Sequence, residues 1–136
     1  MKLPRDVLFH HDLRLMVFRP RGVLDEKRVD EIVAFLENEE KRAHNPFDRF
    51  SDLSKLDIID LNFHHVFRVS LHRQLNYAKR LSVKSAFYVT CQEAADIVKL
   101  HATVTEGSPL QVAMFEDLAA AAKWLGVSVE DLEVGK

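Results

Sequence analysis

The chain has 136 residues, of which 47% are hydrophobic and 29% charged, and its formal net charge is −2. That length fits one domain with a self-sufficient core, and the composition excludes a disordered chain. The slightly acidic balance argues against general nucleic-acid affinity, which depends on Lys and Arg neutralising phosphates. The single Cys91 cannot close an internal disulfide, and no run is apolar enough for a signal peptide or a membrane span. The expected compartment is the cytoplasm.

Residues 7–10 and 13–18 are short apolar runs separated by His11 and Asp12, which predicts a β-hairpin. Pro20 and Gly22 break the second strand, and Asp25 is placed to cap a helix. That helix carries Val29, Ile32, Val33 and Leu36 on one stripe, with Asp30, Glu31, Glu37, Glu40 and Lys41 expected outside. Pro46 ends it. Residues 47–53 form the next strand, less apolar than a central strand usually is. A polar-apolar crossing then leads to a second helix over 62–80. Its expected buried stripe is Phe63, Phe67, Leu71, Leu75 and Ala78.

Residues 83–89 predict a strand, and Thr90-Cys-Gln-Glu93 has the form of a capping box opening a third helix. That helix buries Ala94, Ile97 and Val98, with His101 at the edge of the stripe, while Cys91 is expected in small semi-buried packing. A last strand covers 110–115. Asp117 caps a fourth helix with Leu118, Ala121, Ala122 and Leu125 inward, Gly126 ends it, and residues 128–131 add a turn. This order predicts an α/β fold: a four- to five-stranded, mostly parallel sheet with an antiparallel N-terminal edge strand, covered by about four helices. With no repeat or linker, residues 1–136 read as a single domain.

Three stretches carry a family resemblance. Arg21-Gly-Val-Leu-Asp25, ahead of a helix, resembles the Gly-x-Leu-Asp signature of anti-sigma-factor antagonist (STAS) domains. Asp52-Leu-Ser-Lys-Leu-Asp-Ile-Ile-Asp60-Leu-Asn62 is similar to their strand-loop-helix motif, roughly Asp-Leu-Ser-Gly-Val-x-x-Ile-Asp-Ser-Ser-Gly. The closing Val112-Ala-Met-Phe-Glu-Asp-Leu-Ala-Ala-Ala-Ala-Lys-Trp-Leu125 is similar to the end of the SpoIIAA-like branch, where a strand feeds a helix ending in Trp-Leu. In such domains the second Ser is phosphorylated by a partner kinase, which switches binding off. Here Leu61 and Asn62 stand in place of the two Ser residues, and Phe63 replaces the Gly. Asn has no hydroxyl, so the charge a phosphate would bring to a helix N-terminus cannot be installed there. Ser54 matches a family Ser that is not the switch. The resemblance implies a SpoIIAA-like fold and a regulatory binding module, its protein partner a regulatory kinase or an anti-sigma-like factor.

Without the family, Asp25 and Asn62 read as helix caps and Asp60 as a hydrogen-bonding loop residue. All three still lie at carboxyl ends of expected strands or just beyond, where sites in open α/β sheets form. The second helix is expected to show His65, Arg68, His72, Arg73, Lys79 and Arg80 outward, with Val69 and Tyr77 among them. That face is either a solvated flank or a docking surface for an acidic partner, an anionic lipid or a nucleotide. The candidate partner-binding set is therefore Asp25, Asp60, Asn62, His64, His65, Arg68, His72 and Arg73. Seven His residues raise a metal hypothesis, but His65 and His72 are two turns apart, whereas a helical zinc pair wants three or four residues plus a third ligand. No phosphate-cradling Gly loop, Gly-x-Ser-x-Gly elbow or His-Glu-x-x-His occurs, so no metal, cofactor or catalytic residue is expected. A non-enzymatic interaction module ranks first. A carrier of a small apolar, lipid-like ligand, admitted as Phe63, Phe67 and the third helix part from the sheet, ranks second. An enzyme with a His-rich site ranks last. Homodimerisation through the edge strand or the fourth helix is compatible with the sequence.

Overall fold

The first two strands pair as the apolar runs require. β1 (Val7–His10) and β2 (Leu15–Phe18) form an antiparallel hairpin, with Val7 opposite Phe18 and His10 opposite Leu15. In the turn between them Arg14 takes a left-handed φ of 50°. The structure, a computed structural model, describes residues 3–43, 46–77 and 82–133. β3 (Gly22–Asp25) runs into α1 (Glu26–Ala43), and β4 (Asp48–Asp52) is followed closely by β5 (Leu56–Asp60). Then come α2 (Phe63–Tyr77), β6 (Val83–Tyr88), α3 (Gln92–Thr105), β7 (Leu110–Phe115), α4 (Leu118–Leu125) and α5 (Val129–Glu133).

The main sheet has the order β1-β2-β4-β6-β7, with every pair parallel except the first. This is the expected α/β class, with β1 as the antiparallel edge. β3 and β5 form a separate two-stranded parallel sheet. The crossing expected after residue 53 is thus a strand. Asp57 and Asp60 interrupt its apolar pattern, and its partner β3 is only four residues long with an irregular register at Gly22–Val23. Neither presents the alternation by which strands are recognised.

Strand alternation sends neighbouring residues to opposite faces. On one face Leu15, Val17, Phe50 and Ala86 meet Ala121, Ala122 and Leu125 of α4 and Leu132 of α5. On the other, Met16 and Phe18 meet Ile32 and Leu36 of α1, while Leu53 and Val89 meet Ala94, Ala95 and Val98 of α3. Central strand β4 explains its own low apolarity: Arg49, Ser51 and Asp52 are all buried.

Helix boundaries follow local chemistry. Asp25 Oδ1 accepts from Arg28 N–H at 2.9 Å, Asn62 Oδ1 from His65 N–H at 2.7 Å, and Asp117 Oδ1 from Ala119 N–H at 2.9 Å. Each satisfies a donor that the first helical turn leaves unpaired. Gly126 ends α4 at φ 77°, a left-handed conformation that glycine adopts without a Cβ clash. The capping box expected at Thr90–Glu93 does not form. α3 begins one residue later than that motif requires, with Cys91 at the N-cap making no side-chain cap bond, and Cys91 is exposed rather than semi-buried.

Candidate functional site

The second helix is turned about its axis relative to the expected orientation. The stripe Phe63, Phe67, Leu71 and Leu75 faces outward, with relative exposures of 58%, 45%, 40% and 68%. Inward lie Val66, Ser70 and Arg73, with His65 also buried. One residue of offset is about 100° around an α-helix, so the face with the greater apolarity is the one left in solvent. Ala78, Lys79 and Arg80 lie outside the described residues. Of the expected outward cations, Arg68 and His72 are exposed, as is His64, whereas His65 and Arg73 are buried and withdrawn from the surface set.

The reason for this rotation lies on α1. Glu40, expected outside, is 5% exposed and accepts from Arg49 at 2.8 Å. Arg73 approaches Glu40 at 3.6 Å and Glu37 at 3.4 Å, while His72 meets Glu37 at 2.8 Å and His65 meets Asp30 at 3.1 Å. α2 carries no Asp or Glu, so its cations find their counter-charges on α1, and Arg73 can be buried only with such partners. Together the two helices leave an open groove of about 310 Å³ lined by Asp30, Glu37, His65, Arg68 and His72. Beneath α2, His101 Nδ1 lies 2.7 Å from Ser70 Oγ, and its ring stands edge-to-face with Phe87. Burial first, then the nearby guanidiniums of Arg73 and Arg49, lower its pKa from 6.5 to about 4, so the ring is neutral at pH 7.

The strand-end residues do converge. Asp25 and Asp60 are register partners at the carboxyl ends of β3 and β5. Two residues on, Asn62 Nδ2 donates to Glu26 Oε2 at 2.9 Å while its oxygen caps α2. Asn62, standing where the family Ser would be, thus joins the N-termini of α1 and α2. Asp52, at the end of β4, forms a buried pair with Arg19 at 3.5 Å and accepts from the Ser54 hydroxyl at 2.6 Å. Val23 and Ile58, cross-strand neighbours, are exposed as well.

The candidate site is thus an apolar helix stripe with a polar margin, preceded by a carboxylate- and amide-bearing loop. The exposed stripe was not anticipated, and the signal for it was present: α2 holds two competing faces, and only the second carries groups that match acids on α1. Among the described residues no three His, Cys, Asp or Glu side chains gather as a metal ion would need, and no helix is long and apolar enough to cross a membrane.

No family model and no curated protein matches the chain. Among solved structures it is similar to a protein from Shewanella loihica PV-4, described as an uncharacterised member of the DUF3478 family with a SpoIIAA-like fold. The two share 20% sequence identity over 82% of this chain and 83% of that one, with a TM-score of 0.53. The fold is SpoIIAA-like, in agreement with the resemblance read from the motifs.

Proposed function

We propose that this domain is a non-catalytic interaction module that docks a protein partner on the outer face of α2 and the loop leading into it. The carrying observation is the exposed stripe Phe63, Phe67, Leu71 and Leu75. Large apolar side chains placed singly on a surface need no explanation, but four in one helical row form a contiguous patch of the kind that marks contact sites. A row at i, i+4, i+8 and i+12 is one ridge, suited to the groove of a second helix. Aromatic anchors such as Phe63 and Phe67 supply contact area with little rotamer entropy lost.

The polar margin selects the partner's chemistry. His64, Arg68 and His72 border the stripe and α2 has no acidic residue, so an amphipathic helix with acidic flanks complements it. A second copy of this chain would set Arg68 and the imidazoles against their own kind, which opposes pairing. Asn62, locked in capping, fits a docking loop without a phosphorylation switch at that position.

The test compares wild type with Phe67→Asp/Leu71→Asp and with Arg68→Glu in capture from host lysate, followed by titration of the purified partner. The expected outcome is at least tenfold weaker binding for the double variant, and a smaller, salt-dependent loss for Arg68→Glu. Equal recovery by all three proteins, a concentration-dependent dimer in place of a partner, or co-sedimentation with anionic vesicles would overturn the reading.

A further inference from the structure

The main sheet ends in two edges of different character. β1 has four residues, and Asp6 immediately before it takes a left-handed φ of 66°, which stops the strand in that direction. β7 has six residues and lies at the other end of the strand order. It pairs with β6 from Val83–Leu110 to Tyr88–Phe115 without a register shift. Soluble proteins protect such edges with charged side chains, proline, bulges or a covering element. Leu110-Gln-Val-Ala-Met-Phe115 holds no charge and no proline, and its ladder has no bulge.

Peptide direction decides what this edge can hold. Val83 N–H donates to Pro109 O and Val89 N–H to Phe115 O, both at 3.0 Å, so Pro109 and Phe115 turn their carbonyls toward β6. Bonding direction alternates from residue to residue along a strand, which points the N–H and C=O of Leu110, Val112 and Met114 away from the sheet. The Ser108 hydroxyl accepts the Leu110 N–H at 3.2 Å. Among the described residues the outward peptide groups of Val112 and Met114 have no protein partner. They form a row of donors and acceptors that a further strand can complete.

We infer that the β7 edge is a dimer interface, at which a second copy of this chain adds its own β7 antiparallel about a two-fold axis through Ala113. Only outward peptide groups can bond across the edge, so Val112 and Met114 must meet residues of the same kind. An axis at Ala113 sets Val112 against the partner's Met114, where the two residues exchange both of their backbone hydrogen bonds, and the symmetry repeats the exchange. Ala113 then meets the partner's Ala113 at a non-hydrogen-bonded position, where Cα atoms approach to about 4.5 Å and a small side chain fits. Gln111 faces the partner's Phe115, and Glu116 faces the partner's Leu110, so no like charges are opposed. An unrelated strand would satisfy the same peptide groups. The fit of an uncharged segment to itself, about its smallest residue, singles out a second copy. The α2 stripe takes no part in this pairing, so the inference stands apart from the docking reading.

Sedimentation equilibrium of the purified chain over a wide concentration range tests it. Wild type is expected to show a reversible monomer–dimer equilibrium. Val112→Pro removes one outward N–H and no bond to β6, and should weaken the dimer about tenfold or more. Ala113→Lys and Ala113→Glu should each be monomeric, because position 113 meets itself, and an equimolar mixture of the two should recover the dimer. Ala113→Cys in a Cys91→Ser background is a change small enough to keep the fold. It should form an intermolecular disulfide under mild oxidation, whereas Gln111→Cys in the same background should not. A wild type that stays monomeric at every concentration would overturn the inference, as would a dimer indifferent to the Val112 and Ala113 variants or one lost on Phe67→Asp/Leu71→Asp. A β7 dimer that still captures a partner through α2 satisfies both readings. Partner capture uses other variants and another assay, so either reading can fail alone.

Discussion

Ser85 and Ala86 are neighbours on β6, yet they look into different interiors. Ala86 points to the face closed by α4 and α5, where Leu15, Val17, Phe50, Ala121, Ala122, Leu125 and Leu132 form an apolar cluster with the buried Arg19–Asp52 pair at its margin. Ser85 points to the face closed by α1, α2 and α3, where Arg49, Arg73, Ser51 and Ser70 are buried around an open volume, with His101 beside them and Glu40 paired with both guanidiniums. The first face rests on area removed from water and on close packing, which are local and additive. The second rests on groups that can be buried only together, because each charge needs its partner. The second arrangement lies on the side beneath the exposed helix.

The largest expected effect separates the two kinds of interior. Glu40→Ala removes the carboxylate between Arg49 and Arg73 and should destabilise by about 3–5 kcal/mol, and Phe50→Ala on the opposite face by a similar amount. Urea denaturation of both variants gives these values. The distinction appears on compensation. Replacing Glu40, Arg49 and Arg73 together with apolar residues of similar volume should recover most of the loss, since no charge is then stranded. No second substitution restores the contacts of Phe50. If the triple variant is no better than Glu40→Ala, the three groups do not act as a unit.

A smaller effect is read through pH. Folding holds the His101 imidazole at about 4 against 6.5 in the unfolded chain, through burial first and then Arg73 and Arg49. Above pH 6.5 both states are neutral at this residue and stability is unaffected. As pH falls from 6.5 towards 4 the unfolded chain takes up a proton that the folded one refuses, so stability declines. His101 keeps a partly exposed edge although its ring is enclosed, so the decline attributable to it is set at on the order of 2 kcal/mol. It is measured as the difference between wild type and His101→Gln across that range. The same slope in both proteins would place the acid sensitivity elsewhere.

The elements legible in the sequence were those whose boundary chemistry is local. Asp25, Asn62, Asp117 and Gly126 announce helix ends by their own side chain or backbone, and each does so in the structure. The hairpin, the parallel β6 and β7 and the α4 stripe came from periodicity alone. The rotation of α2 was hidden because apolarity, the usual guide, favours Phe63, Phe67, Leu71 and Leu75 for the interior. What decides is a set of pairings between helices, Arg73 with Glu40 and Glu37, His65 with Asp30 and His72 with Glu37, across about 35 residues of sequence. No local pattern reports such pairs. Of the candidate set, Asp25, Asp60 and Asn62 were placed correctly at one sheet end for the same local reason, while His65 and Arg73 were misplaced with the helix that carries them.

The finest comparison returns to the two neighbours on β6. Ala86 is fully buried in a close-packed layer, so Ala86→Val must displace Phe50 or the α4 alanines and should cost about 1–3 kcal/mol. Ser85→Val adds similar bulk on the other face, but it enters the cavity of about 140 Å³. Its expected effect is within about 0.5 kcal/mol of zero, or slightly stabilising, because the added methyl groups meet open space rather than packed atoms. Thermal denaturation of the two variants side by side measures the contrast with backbone and strand position nearly constant. Equal destabilisation by both would mean that the face under α2 is as tightly filled as its opposite.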